Sequence, residues 1–313
     1  MSGHADGWAR TRLIPNSTTN NPLLNAYSVQ ADTSAIYSLQ QWVDVLNKYS
    51  VACGLVLIDD TEFRGTTALI TAAAGRGIGQ SIARRFAAGG ANVVVTDIHP
   101  GRTAQVAEAI AADHPRSTVV GYTLDAGDYA QIDQVIDTVA EQVGPIGVLV
   151  NNAAVNYLGS IFEFDPAQWD HAIKVNLSGP WYLCRRTMPI MRDAGGGVIL
   201  NLSSIAADFG GAGYAESPYV ATKAGLQGLT RALAHEGGPH GIRVNTISMA
   251  VITDTKFFTD NVEHCTRPDL IGPMGVQPQT RDIAEAAAYL ASERGRYITG
   301  ETLNIASGSF MRY

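Results

Sequence analysis

The sequence predicts an α/β protein: a single doubly wound Rossmann-type domain with a mainly parallel seven-stranded sheet, preceded by an N-terminal extension. Three observations lead there. From Phe63 onward, short apolar runs alternate with longer helical stretches, which is the signature of βαβ units. The apolar runs suit strands covered by helices on both faces. A glycine-rich turn stands between the first apolar run and the first helix, where a doubly wound sheet binds its ligand.

The elements follow in order. Residues 1–62 form the extension. It begins polar and Asn/Thr-rich between Asn16 and Asn25, then places Ile36, Leu39, Val43 and Leu46 at helical spacing, so a helix is expected over 32–48 with Trp42 near its apolar edge. Val51–Ile58 reads as a strand or a buried segment. Two readings of the extension stand side by side: a loosely docked segment without chemistry, and a helix that docks a partner. Residues 63–313 form the domain. Its strands are expected at Thr67–Thr71, Asn92–Thr96, Val119–Leu124, Val148–Val150, Val198–Leu202, Ile242–Ile247 and Thr302–Ile305. Helices are expected at Ile78–Ala88, Arg102–Ala112, 129–143, 167–192, 218–236 and 281–292, with right-handed crossovers between parallel strands.

Composition narrows the function. The chain has 313 residues, 46% hydrophobic and 16% charged, enough to bury a large core. A formal net charge of -7 argues against a nucleic-acid partner, which requires a basic face. No apolar run approaches the roughly 20 residues of a membrane span, and the first dozen residues do not read as a secretory signal. Cys53, Cys184 and Cys265 show no metal-ligand spacing and fit a reducing compartment, so a soluble cytoplasmic protein is expected. His235, His240 and His264 lack zinc spacing, and no metal is expected.

The first turn reads Thr71-Ala-Ala-Ala-Gly75-Arg76-Gly77-Ile78-Gly79. Glycines here let backbone approach a pyrophosphate, while the following helix supplies N–H donors and a favourable dipole. Gly75, Arg76, Gly77, Ile78 and Gly79 are therefore cofactor-binding candidates. Asp97 closes the second strand, 18 residues past Gly79, where a carboxylate can accept from an adenosine ribose diol and repel a 2′-phosphate. That favours NAD. Arg76 pulls towards NADP, because a guanidinium beside the loop could pair with a phosphate.

Tyr219 and Lys223 stand four apart in a helical stretch, so phenol and ammonium share one face. A tyrosine of pKa about 10 is a poor base at neutral pH, and a nearby cation favours the phenolate. A three-unit drop needs roughly 4 kcal/mol of differential stabilisation. Upstream, Asn201-Leu-Ser203-Ser204 closes a strand, Asn151-Asn152-Ala153-Ala154 follows another, and Asn176 sits in mid-helix, where it could serve the site or be a satisfied core group.

With these residues the chain resembles the classical short-chain dehydrogenase/reductase family, over roughly four fifths of its length from Phe63 to Met311. The resemblance rests on ordered motifs: the glycine loop, Asp97, Leu124-Asp125, Asn151-Asn152-Ala153, Asn176, Ser203-Ser204, Tyr219 with Lys223, Arg243-Val-Asn245 and Tyr297-Ile-Thr-Gly300. It implies that Tyr219 is the acid/base, that Lys223 lowers its pKa and bonds the nicotinamide ribose, that Ser204 polarises the substrate oxygen, and that Asn176 holds a relay water. It further implies that Asp125 lies near the adenine and Asn152 on the adenosine side, with Ala153 and Ile252 also at the cofactor. Ser204 lies fifteen residues before Tyr219, two more than is usual in the family, with Ser203 as the fallback. The irregular stretch between Thr253 and Thr280 corresponds to a lid over the substrate, where Phe257 and Phe258 suggest an apolar wall.

Four positions depart from the family pattern: Ala72 or Ala73 replaces the loop's first glycine, Ala154 ends N-N-A-G, Met249-Ala250 replaces P-G, and Ala306-Ser307-Gly308 replaces D-G-G. Alanine is strained wherever φ must be positive. The resemblance implies an NAD(H)-dependent oxidoreductase that interconverts a secondary alcohol and a ketone, working as a homotetramer or homodimer built on the helices at 167–192 and 218–236. Two alternatives stand beside it: an NADPH-dependent 3-oxoacyl thioester reductase, and a cofactor-binding regulatory or interaction protein without turnover.

Overall fold

A computed structural model describes residues 59–211, 216–267 and 270–311, with the backbone of 13–14 and 28–29. The chain divides into two compact units, Met1–Leu57 and Ile58–Tyr313. In the first, Leu13–Ile14 pairs antiparallel with Ser28–Val29. The helix expected over 32–48 and the segment Val51–Ile58 lie outside the described residues.

The second unit is built on seven parallel strands: β1 (Thr67–Ile70), β2 (Asn92–Asp97), β3 (Val119–Thr123), β4 (Ile146–Asn151), β5 (Gly197–Leu202), β6 (Ile242–Met249) and β7 (Thr302–Ile305). Their order is β3-β2-β1-β4-β5-β6-β7. The direction of winding reverses between β1 and β4, so the crevice beyond their carboxyl ends is the place for a ligand.

Side-chain alternation along each strand feeds two apolar layers. Ala68, Ile70, Val93, Val95, Val148 and Val150 enter one layer. It is completed by α1 (Ile78–Ala88), α2 (Pro100–Asp113) and α10 (Thr280–Ala291) through Ile82, Phe86, Ile110 and Ala287. Leu69, Val94, Leu149 and Ile199 enter the other, against α3 (Tyr129–Gln142), α5 (Gly179–Asp193) and α7 (Ser217–Gly237) through Ile136, Leu183 and Leu233. Both faces of the central strands β1, β2, β4 and β5 are thus largely apolar.

The expected helix at 167–192 is a composite. Asp165 caps α4 (Pro166–Ile173), and its capping box with Gln168 fixes the start. A π turn over Lys174–Ser178 then leads into α5. The short helix α6 (Ala206–Phe209) follows β5, while α8 (Lys256–Asp260) and α9 (Val262–Cys265) occupy the stretch expected as a lid.

Glu62, which the sequence reading assigns to the extension, lies inside the folded unit. Its carboxylate accepts from Arg85 Nη2 at 2.7 Å and Arg294 Nη2 at 2.6 Å, and Arg85 Nε also donates to Glu285 at 2.9 Å. Phe63 is buried and meets Phe86 edge-on at 4.8 Å. Truncation to Phe63→Ala should cost about 3 kcal/mol of unfolding free energy, measured by urea denaturation, because it leaves a core cavity. A cost below 1 kcal/mol would place Phe63 outside the cooperative core.

Candidate active site

The loop between β1 and α1 is stitched to the end of β4 by side chains from both. Thr71 Oγ1 donates to the Val150 carbonyl at 3.3 Å and accepts from the Asn152 and Ala153 amides, each at 2.9 Å. Asn152 Nδ2 returns bonds to the carbonyls of Thr71 (2.9 Å) and Ala72 (3.1 Å). Asn152 therefore shapes the loop with its side chain while lining the cavity.

The strain expected at the replaced glycines falls at two sites. Among the described residues only Ala72 and Ser307 carry positive φ without being glycine, each at 51°. Ala73, Ala154, Ala250 and Ala306 do not carry positive φ, so two of the four departures, at Ala154 and at Met249-Ala250, place no strain on the backbone.

The loop fits a pyrophosphate. A Cβ on Gly75 or Gly77 would meet no heavy atom within 4 Å, so both leave open space on the cavity side. A Cβ on Gly79 would fall 2.6 Å from the Ala72 carbonyl and from Asn152 Nδ2, so only glycine fits there. No side chain caps the start of α1 at Gly77, and its first turn holds no acidic residue, which leaves N–H donors for an anion.

Asp97 is buried at the end of β2, and its carboxylate accepts from Ala74 N (3.2 Å) and His99 N (3.2 Å). It also accepts from Arg102 Nη2 at 3.3 Å, a partner the sequence reading missed. Its only sequence signal was a position one turn into the helix that follows the strand. Arg76 is exposed, lines the cavity and has no ion-pair partner among the described residues. Asp125 accepts from Gly127 N at 2.8 Å in a turn beyond β3. Neither Asp97, Asp125 nor Ala153 is among the cavity walls.

At the other end of a cavity of about 390 Å³, β5 and α7 bring Ser204, Tyr219 and Lys223 together with Ile252. Ser204 lines the cavity with Tyr219, and its Oγ accepts from Ala206 N at 3.2 Å. Ser203 Oγ donates to the Lys223 carbonyl at 3.0 Å, which leaves Ser204, despite its longer spacing, as the cavity serine whose hydroxyl proton is uncommitted. Lys223 is buried, donates from Nζ to the Leu202 carbonyl at 2.6 Å, and places Nζ 5.4 Å from the centre of the Tyr219 ring.

Asn176 does not reach the cavity with its side chain. Its Oδ1 accepts from Val155 N at 2.8 Å, and its Nδ2 donates to the Val155 carbonyl (2.8 Å) and to Thr222 Oγ1 (3.2 Å). The residue sits in the π turn, and its carboxamide clamps the chain beyond β4 to α7. A relay water at this position would have to use its main chain.

Burial sets the titration of the pair. It pushes the Tyr219 phenol up to about 12, against a lowering from the Ser204 side chain, and it pushes Lys223 down to about 8. The ammonium lies over the ring and bonds a carbonyl, and without nucleotide desolvation is the largest influence on both groups.

The cavity also takes in Val155, Asn156, Met249, Val251, Thr255 and Phe257, none of which carried a motif in the sequence apart from Met249 and Phe257.

Residues 72–309 match the family described as Enoyl-(Acyl carrier protein) reductase. An uncharacterized short-chain type dehydrogenase/reductase of Sinorhizobium fredii is 34% identical over 251 residues, covering 78% of this chain and 97% of that one. The chain belongs to the classical short-chain dehydrogenase/reductases. Another member of similar standing is a 3-oxoacyl-[acyl-carrier-protein] reductase of Staphylococcus aureus, 34% identical over 249 residues, 78% of this chain and 98% of that one. Among solved structures, L-sorbose reductase of Gluconobacter frateurii, complexed with NADPH and L-sorbose, superposes with a TM-score of 0.75 at 26% identity, over 81% of this chain and all of that one. As a short-chain dehydrogenase/reductase, this protein is an oxidoreductase of a family that binds NAD(P). Among the described residues no helix is long and apolar enough to cross a membrane, and no cluster of metal-ligating side chains occurs.

The buried ammonium has a stability signature. Lys223 releases its proton near pH 8 when folded and near 10.5 when unfolded, so in that window the unfolded chain binds the extra proton and stability rises with pH. The stability of Lys223→Met relative to the unmodified protein should therefore decline between pH 8 and pH 10.5 in denaturant titrations. A pH-independent difference would show that the amine is solvated.

Proposed function

We propose that this enzyme interconverts a secondary alcohol and a ketone, with NAD(H) as its nucleotide. The observation that carries the reading is the meeting of Ser204, Tyr219 and Lys223 in one cavity with the Gly75–Gly79 loop. When bound, the nicotinamide supplies or accepts the hydride. In the reductive direction Ser204 donates a hydrogen bond to the carbonyl oxygen, and Tyr219, protonated at neutral pH, gives that oxygen its proton. The Lys223 ammonium faces the phenolate that results and stabilises it. In the oxidative direction the same groups act in reverse.

Asp97 supports NAD(H): two main-chain amides hold its carboxylate at the end of β2, with lone pairs left for a ribose diol. A second reading, an NADPH-dependent 3-oxoacyl thioester reductase, is favoured by Arg102 against Asp97 and by the unpaired Arg76, two cations able to meet a 2′-phosphate. The NADPH in the sorbose reductase complex and the activity named for the Staphylococcus aureus relative lend it weight. A homodimer or homotetramer is supported by Trp169 on α4 and Trp181 on α5, which keep 42% and 44% exposure on the helices expected to form the contact.

Two substitutions test the reading. Tyr219→Phe should lower kcat by about a hundredfold or more while the nucleotide Kd stays within about twofold. Unchanged turnover would remove Tyr219 from the chemistry. Titration with NADH and NADPH, followed by nucleotide fluorescence, should favour NADH, and Asp97→Ala should erase that preference. A protein that prefers NADPH before any substitution would move the reading to the thioester reductase.

A further inference from the structure

The reaction end of the cavity also bears on the substrate. Resting on the activity proposed above, we infer that the substrate is an uncharged ketone or alcohol carrying an apolar alkyl or aryl group, which runs from the cavity onto an apolar lip at residues 158–162.

The apolar walls of the cavity that holds Ser204 and Tyr219 include Val155, Met249, Val251, Ile252 and Phe257. Of the remaining polar groups the Thr255 hydroxyl is committed to the protein, and Asn156 brings one buried acceptor, its Oδ1. Thr255 Oγ1 donates to the Ile252 carbonyl at 2.9 Å and accepts from Phe258 N at 3.2 Å, and Asn156 already has a protein partner. Among the described residues no carboxylate lines the cavity, and the cations there are Lys223 of the catalytic pair and Arg76 on the phosphate loop. A polyol would bury hydroxyls that find few partners, and a keto acid would bury a carboxylate without a cation to meet it. An apolar substituent loses nothing by entering.

A cavity of about 390 Å³ that reaches from the glycine loop to Phe257 is largely taken up by a dinucleotide, so the body of a substrate must continue outward. The chain leaves the cavity wall at Asn156 and within six residues presents Leu158, Ile161 and Phe162, the last two 69% and 94% exposed. These side chains are held out rather than collapsed. Tyr157 Oη bonds His171 Nδ1 at 2.6 Å and ties the segment to α4, while the amides of Glu163 and Phe164 both donate to the Ser160 carbonyl and close a turn. Phe257 lines the cavity from α8 and itself keeps 37% exposure, so apolar surface continues from the wall to solvent.

The test uses the full chain with whichever nucleotide it binds. Reduction of 2-alkanones from butanone to 2-decanone is compared with that of a ketohexose and a 2-oxo acid. The expected kcat/KM rises with each added methylene, by up to about fourfold, the factor that burying one methylene supplies. Phe162→Ser should cut the decanone-to-butanone ratio by about tenfold. A flat series, or a ketohexose or oxo acid that outperforms every alkanone, overturns the inference and leaves the proposed activity standing. If no carbonyl compound is turned over, the activity fails, and the inference is then read from the binding of unreactive n-alkanamides to the nucleotide complex by fluorescence. Affinity that grows with chain length upholds the apolar site, and affinity without chain-length dependence overturns it. Sedimentation velocity provides the last control. If Phe162→Ser changes the assembly and leaves the chain-length ratio intact, the lip is a contact between copies and the inference is overturned there.

Discussion

The site depends on how α7 is fastened to β5. Lys223 Nζ donates to the Leu202 carbonyl, Ser203 Oγ donates to the Lys223 carbonyl, and one turn-pair further along Asn201 Nδ2 donates to Thr230 Oγ1 at 2.9 Å. All of these groups are buried, so each would be costly to leave unpaired, and together they admit one rotation of the helix about its axis. That rotation turns Tyr219 towards Ser204. The fastening continues sideways: Asn151 Nδ2 donates to Asn201 Oδ1 at 2.8 Å, and Thr230 Oγ1 meets Thr246 Oγ1 at 2.7 Å. Asn151, Asn201 and Thr246 are register partners on β4, β5 and β6. A polar row thus crosses β4, β5 and β6 one residue before the strands deliver Asn152, Leu202 and Ile247.

At the switch point a second set of bonds does the same for the phosphate loop. Thr71 is the last residue before the loop, and its hydroxyl fixes the chain leaving β4, while Asn152 from that chain fixes the loop. The exchange explains how the loop tolerates Ala72 at φ 51°: two carbonyls, including that of Ala72, are held by Asn152 whatever residue supplies them. The tight approach at Gly79 comes from the same atoms, the Ala72 carbonyl and Asn152 Nδ2.

Nearly every strand and helix of the domain was legible, because buried parallel strands and amphipathic helices write their periods directly into the residues. The π turn at Lys174–Ser178 was not, since it inserts one residue into a continuous helical pattern without disturbing the apolar stripe. Tyr219, Lys223 and the glycine loop were legible from spacing alone. The choice between Ser203 and Ser204 was not, because adjacent residues at a strand end point to opposite sides and only the fold says which side α7 occupies. Arg102 escaped notice because its meaning arises from proximity to Asp97, which no period encodes. The carboxamide of Asn176 is the reverse case: its motif was visible, but its commitment to Val155 and Thr222 follows from packing. The walls Val155, Val251 and Thr255 carry no distinctive chemistry and become a site only where three loops meet.

The titration of Tyr219 and Lys223 links burial to chemistry. With the phenol near 12 and the ammonium near 8, the pair at neutral pH is a neutral phenol beside one buried positive charge. Among the described residues the Leu202 carbonyl is the hydrogen-bond partner of that charge. A negative charge developing on a substrate oxygen would meet it in a medium of low dielectric, where attraction is strong and costs no reorganisation. In the reaction proposed for this site, a proton leaving Tyr219 for that oxygen would leave a phenolate facing the same partner, and the two groups would titrate as a unit. In the proposed reaction the help that Lys223 gives the phenol is greatest during proton transfer, when the phenolate forms. A site arranged this way holds its proton until there is an oxygen to receive it.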